Sequence, residues 1–170
     1  MEFLELAKKR YSVRSYKDIP VEKEKLDKIL EAGRVAPTGV NAQPQRIIAV
    51  TSKEGMEKIA KGAKTFGAPV ALIICSDKDE AWVRSTDGKN IAEMDASIVS
   101  THMMLQATEI GLGTLWMCWF KPDVIRAEFD ISENLEITNL LLIGYADGEA
   151  QSADRHDKMR KPISETVKYV

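Results

Sequence analysis

The stretch from Lys89 to Ile110 constrains the fold more than any other part of the chain. Ile91, Met94, Ile98, Leu105 and Thr108 recur there at helical spacing, so the segment reads as one long helix. Ala92, Ala96, Val99, Met103 and Ala107 make much of the remaining surface apolar or small as well. A helix that is apolar on most faces is buried on most faces. In a chain of 170 residues that leaves two solutions, the centre of the core or a large interface with another subunit. Gly111 and Gly113 close the segment, as expected of a glycine C-cap.

Around this helix the periodicity predicts a helix over Glu2 to Lys9, an extended basic segment from Arg10 to Tyr16, and a second helix from about Val21. Leu26, Ile29, Leu30 and Gly33 share one face of the second helix, and Pro37 stops it. A loop spans Pro37 to Pro44. Arg46 to Thr51 reads as a strand, Lys53 to Lys61 as a helix and Pro69 to Ser76 as a buried strand. After the long helix come a strand (Thr114 to Phe120), a helix (Lys121 to Phe129), a strand (Glu136 to Tyr145) and a polar, basic tail. No repeat or linker interrupts residues 1–170, which are expected to form one domain. Four strands and five helices without regular alternation predict an α+β sandwich rather than a doubly wound parallel sheet.

Several function classes are disfavoured. The net charge is -2, from 24 basic and 26 acidic residues, which gives no electrostatic footprint for nucleic acid or an anionic membrane. The longest apolar runs, Ala68 to Cys75 and Leu140 to Ile143, are too short to cross a bilayer, and no stretch resembles a signal peptide. Cys75 and Cys118 share no close spacing and read as two reduced, buried thiols, so a cytoplasmic location is expected. The two histidines, His102 and His156, form no metal-ligand spacing with cysteine, and there is neither a GxSxG elbow nor a P-loop. His102 and Asp95, both mid-helix, read as core or interface residues. A chain with no evident nucleophile, metal or acid–base pair can still catalyse when a cofactor carries the chemistry.

Four segments are candidates for holding one. In extended Arg10-Tyr11-Ser12-Val13-Arg14, residues 10, 12 and 14 share a face, so two guanidinium groups and a hydroxyl suit a phosphate dianion. The same residues would also make an ordinary solvated basic patch. In the loop Ala36 to Pro44, Thr38, Asn41 and Gln43 offer hydroxyl and amide groups fit for a heterocycle edge or a polyol; equally, they suit turns that bond their own backbone. Gly111-Leu112-Gly113 fails as a dinucleotide fingerprint, since Trp116 occupies the third glycine position and the order is helix then strand. Lys158-Met159-Arg160-Lys161-Pro162 alone is a surface charge run.

Taken in order, RYSVRSY, APTGVNAQP, a long helix closing in GLGTLW, and the tail KMRKPISETV resemble the nitroreductase family of FMN-dependent enzymes over nearly the whole chain. The resemblance implies an α+β sandwich with a central, mostly antiparallel sheet flanked by helices. It also implies a homodimer with FMN held between subunits and NAD(P)H as electron donor, working by a ping-pong mechanism on a small acceptor such as a nitroaromatic or quinone. By this resemblance Arg10, Ser12 and Arg14 contact the phosphate and ribityl chain, and Tyr11 contributes backbone or ring. Arg160, helped by Lys158, completes the phosphate clamp. Thr38, Asn41 and Gln43 reach the flavin from the partner subunit, and the strand through Cys118 and Trp119 faces its N5 edge. Two departures bear on the acceptor. Gln45 stands where the family often has Trp, and the chain lacks the helices that cover the substrate in longer members; Asp77 to Asn90, with Trp82, is the candidate lid. A specialised family member, or a flavin-binding protein with little turnover, is the alternative.

Overall fold

Two strands form the centre of the molecule because neither alternates between apolar and polar residues. In the computed structural model, which describes residues 2–170, β2 (Val70–Asp77) is buried along its whole length and β4 (Leu135–Gly144) over most of it. A strand with both faces covered needs a continuous apolar run. With β1 (Gln45–Val50) and β3 (Gly113–Met117) they make one antiparallel sheet in the order β1-β2-β4-β3. Side chains alternate across it. Ala71, Ile73 and Cys75 face Ile59 of α3 (Lys53–Gly62) and Ile125 of α5 (Pro122–Phe129). Val70, Leu72 and Ile74 face Leu26 and Ile29 of α2 (Lys23–Arg34), and Ala96, Val99, Met103 and Ala107 of α4 (Ala92–Glu109). The result is a helix–sheet–helix sandwich. A bulge at Thr138, between the pairs Ile74–Asn139 and Cys75–Ile137, keeps Ile137 and Leu140 on one face.

Local chemistry sets the element ends. The Ser52 hydroxyl accepts the Gly55 amide at the start of α3, Pro122 opens α5, and the Asn90 carboxamide oxygen accepts the Ala92 amide at the start of α4. α2 crosses α4 closely at Gly33, where a Cβ would lie 2.9 Å from the Met103 side chain.

The long helix uses its faces differently from the simplest expectation. Its core face is Ala96, Val99, Met103 and Ala107, whose small members let it lie close to the sheet, whereas Met94 and Ile98 of the other stripe are 48% and 38% exposed. β3 ends at Met117 rather than Phe120, so Cys118 and Trp119 lie on a turn beyond the strand. Cys75 is buried as expected, but Cys118 is exposed.

The two ends of the chain meet. After α1 (Phe3–Lys9), residues 10–17 run beside β3 and the end of β4: Val13 N–H donates to Thr114 O and Lys17 N–H to Tyr145 O, both at 2.9 Å. Gly113 is required at this approach, since a Cβ there would lie 2.6 Å from Val13 Cγ2. The polar tail carries two short helices absent from the sequence reading, α6 (Arg155–Met159) and α7 (Ile163–Thr166). α6 docks on the N-terminal segment through Arg155, whose guanidinium donates to Arg10 O, and His156, whose Nε2 lies 3.1 Å from Lys8 O. Among the described residues no helix is long and apolar enough to cross a membrane.

Candidate functional site

Arg10 follows directly on α1, and the docking of α6 brings Arg155 and Arg160 toward it. Burial, followed by the positive charges of Arg155 and Arg160, pushes the Arg10 guanidinium below its usual value. Among the described residues none of these three groups pairs with a carboxylate. A partly desolvated cation beside two others and without a counter-charge is repelled by them, and an anion relieves that repulsion. Arg10 lines a cavity of about 270 Å³, together with Tyr11, Thr108, Gly111 and Thr114. The Thr114 hydroxyl oxygen is buried there without a partner among the described residues.

The rest of the basic segment keeps its expected alternation. Val13 is buried and Tyr11 packs against the same core cluster, while Ser12 is half-buried and Arg14 exposed. Arg14 Nη1 donates to Ser12 O at 3.4 Å. Lys158 is exposed on α6; the tail charges that act on Arg10 are those of Arg155 and Arg160. Arg155 escaped the sequence reading, which began the charge run at Lys158. No sequence signal marks it, because a five-residue helix is too short for periodicity to show which side chains turn toward Arg10.

The loop from Thr38 to Gln43 is bonded to itself, as the turn reading anticipates. Thr38 Oγ1 accepts the Gln43 amide at 3.0 Å, the Asn41 amide donates to Thr38 O at 2.9 Å, and Gln43 Nε2 donates to Asn41 O at 3.3 Å. The loop is also strained: Val40, Asn41 and Gln43 have φ of 48°, 60° and 53°. Left-handed conformations cost non-glycine residues on the order of 1 kcal/mol each and concentrate at functional sites. Asn41 and Gln43 remain exposed. The polar stretch after β2 leans on this loop as an ordered hairpin, with a Val83–Asn90 bridge, an Arg84–Asp87 ion pair and Trp82 packed near Gly39.

These two groups lie at opposite ends of α4. The loop is held there by Asp95, whose Oδ1 accepts the Gly39 amide at 2.9 Å. The cavity beside Arg10 is lined by Thr108 and Gly111. From Asp95 to Thr108 is roughly 20 Å along a helix rising 1.5 Å per residue. Cys118 and Trp119 form a third group on the turn after β3, with Trp119 84% exposed and Trp116 Nε1 donating to Cys118 Sγ at 3.3 Å.

The sequence model of the nitroreductase family matches residues 7–64 and 60–145. A solved nitroreductase family protein of Clostridium difficile is 54% identical, with 99% of this chain and 98% of that one covered and a TM-score of 0.97. The FMN-dependent nitroreductase of another Clostridium difficile strain is 32% identical, covering 92% and 96% of the two chains, with a TM-score of 0.74. A protein of Methanothermobacter thermautotrophicus, provisionally named NADH dehydrogenase/NAD(P)H nitroreductase, is 32% identical over 94% of this chain and 85% of its own.

Proposed function

The chain belongs to the nitroreductase family, and from that premise we propose that it is an FMN-dependent oxidoreductase that carries hydride from NAD(P)H to a small organic acceptor, a nitroaromatic or quinone. The observation that carries the reading is the separation of the two groups along α4. A phosphate at the arginine cluster lies too far from the Thr38–Gln43 loop of the same chain for one cofactor to use both. A two-fold pairing through the exposed α4 stripe of Met94 and Ile98 turns the helix end for end, bringing one chain's loop to the other chain's cluster. The active unit is therefore a homodimer with two shared sites.

The residues present fit FMN. Its phosphate dianion matches three guanidinium groups that lack a carboxylate partner, and the mixed donors and acceptors of its ring edge match exposed carboxamides. Arg10, Arg155 and Arg160 would hold the phosphate, with Ser12 and Arg14 along the ribityl chain. The partner subunit's Thr38, Asn41 and Gln43 would orient the ring, and the Cys118–Trp119 turn would border its reactive edge. When bound, FMN supplies the hydride chemistry. The protein needs no side-chain base. It holds the ring, presents positive charge, and lets donor and acceptor use one open face in succession, which is the basis of ping-pong turnover.

Subunit mixing tests the shared site. One variant combines Arg10→Ala with Arg155→Ala; the other combines Asn41→Leu with Gln43→Leu. Each homodimer should be inactive, and their mixture should regain about a quarter of wild-type NAD(P)H oxidation, since half the dimers are mixed and each of these has one intact site. Mixtures as inactive as their components contradict a shared site.

A further inference from the structure

Asp95 stands in the first turn of α4 and is 1% exposed, a more deeply buried carboxylate than Asp77 at 9%. Burying a carboxylate costs several kcal/mol unless its surroundings compensate. Here the compensation is specific. The N-terminal end of the helix favours negative charge, and Oδ1 accepts the Gly39 amide at 2.9 Å. Oδ2 is buried with no partner among the described residues, so the carboxylate is only half used by them. Its neighbours on the inner face, Ala92, Ala96 and Val99, are apolar, and packing alone would be served by another apolar residue.

What the carboxylate holds explains its presence. The Thr38–Gln43 loop has three residues at positive φ, and most of its hydrogen bonds are internal. Its ties to the rest of the fold are the Gly39–Asp95 bond at one end and Arg46 Nη1 to Gln43 O, at 3.3 Å, at the other. Gly39 is also pressed on Ile91, whose Cδ1 leaves no room for a Cβ there. Without the Asp95 bond, the strained loop's place along the helix rests on the Ile91 contact and the Arg46 bond alone.

We propose that Asp95 is a positioning residue, whose buried carboxylate holds the Gly39 amide so that Thr38, Asn41 and Gln43 keep the arrangement that orients the flavin of the partner subunit. This rests on the FMN reading above and extends it to a residue that does not touch the cofactor. The helix supplies the anchor and the loop supplies the contacts.

The experiment measures the FMN dissociation constant by fluorescence quenching, and the melting temperature of the apoprotein, for Asp95→Asn, Asp95→Ala and Ser100→Ala. Ser100 is the control, being buried on the same helix and accepting from Asn139 Nδ2 of the sheet at 3.0 Å, away from the loop. Asp95→Ala should weaken FMN binding about 10- to 100-fold, the range for losing a hydrogen bond to a charged group. Asp95→Asn keeps a neutral acceptor and should weaken it about threefold to tenfold. Ser100→Ala should lower the melting temperature while leaving FMN affinity within about twofold, because its contact is remote from the loop. Unchanged FMN affinity in Asp95→Ala overturns the proposal, as does an equal loss in Ser100→Ala, which would mark a general loosening of the fold. If Asp95→Ala does not fold, Asp95→Asn decides alone, and wild-type affinity in that variant overturns the proposal. A wild-type protein that binds no FMN fails the reading underneath, a result distinct from all of these.

Discussion

Arg155 and Lys158 lie on the same short helix, yet only the charge of Arg155 acts on Arg10. Arg155→Ala should therefore weaken FMN binding by about 1.5–3 kcal/mol, the worth of one charge-assisted contact. Lys158→Ala should change it by less than about 0.5 kcal/mol, as expected of a surface substitution. Equal losses in a fluorescence titration would give Lys158 as large a part in the clamp as Arg155. The cysteines make a second residue-scale test. Burial pushes the Cys75 thiol from its usual 9.0 up to about 11, an effect only partly offset by the nearby positive charge of Arg126. The folded protein should thus yield one thiol to a disulfide reagent at pH 8, that of exposed Cys118, and two after unfolding. Two reactive thiols in the native protein would contradict the burial of β2. By linkage, Cys75 contributes stability that is complete below pH 9.0 and is lost as pH rises toward about 11, where the unfolded chain gives up a proton that the folded chain retains. At this scale the sequence was informative where spacing alone sets direction, as at residues 10, 12 and 14. It was silent on Arg155, whose role depends on where the tail folds back.

Among the elements, α4 carries the proposal that two chains are needed to make a site. Its apolar periodicity was legible, but its use was not: a helix apolar all round does not reveal which stripe meets its own sheet. The stripe with alanine at positions 96 and 107 goes inward because small side chains allow close packing, leaving Met94 and Ile98 outward. Ile98→Glu puts a charge on that outer stripe without touching the core. It should convert the proposed dimer to a folded monomer, with unchanged helical circular dichroism, and abolish tight FMN binding. A monomer that keeps wild-type FMN affinity would show that each chain holds its own cofactor. The tail helices were illegible for another reason. Helices of five and four residues are below the length at which periodicity carries a signal, and they form here on docking contacts such as Arg155 with Arg10 O.

Over the whole molecule, the sandwich followed from the irregular order of strands and helices, and the continuous apolar runs of β2 and β4 fit a sheet covered on both faces. The strand order β1-β2-β4-β3 was not deducible, because antiparallel neighbours in space need not be neighbours in sequence. The proposed cofactor residues are spread over the N-terminal segment, the Thr38–Gln43 loop, the turn after β3 and the tail, and no local motif in this chain is strong enough to identify them alone. Their logic appears only once α4 sets the distance between two of the groups and the two chain ends have met. The most direct test is an anaerobic absorbance spectrum of the protein loaded with FMN, recorded before and after adding NADH and then NADPH. The account predicts about one FMN per chain and loss of the oxidised-flavin band with at least one of the two nicotinamides. Bound flavin that neither donor bleaches, or no bound flavin at all, would contradict it.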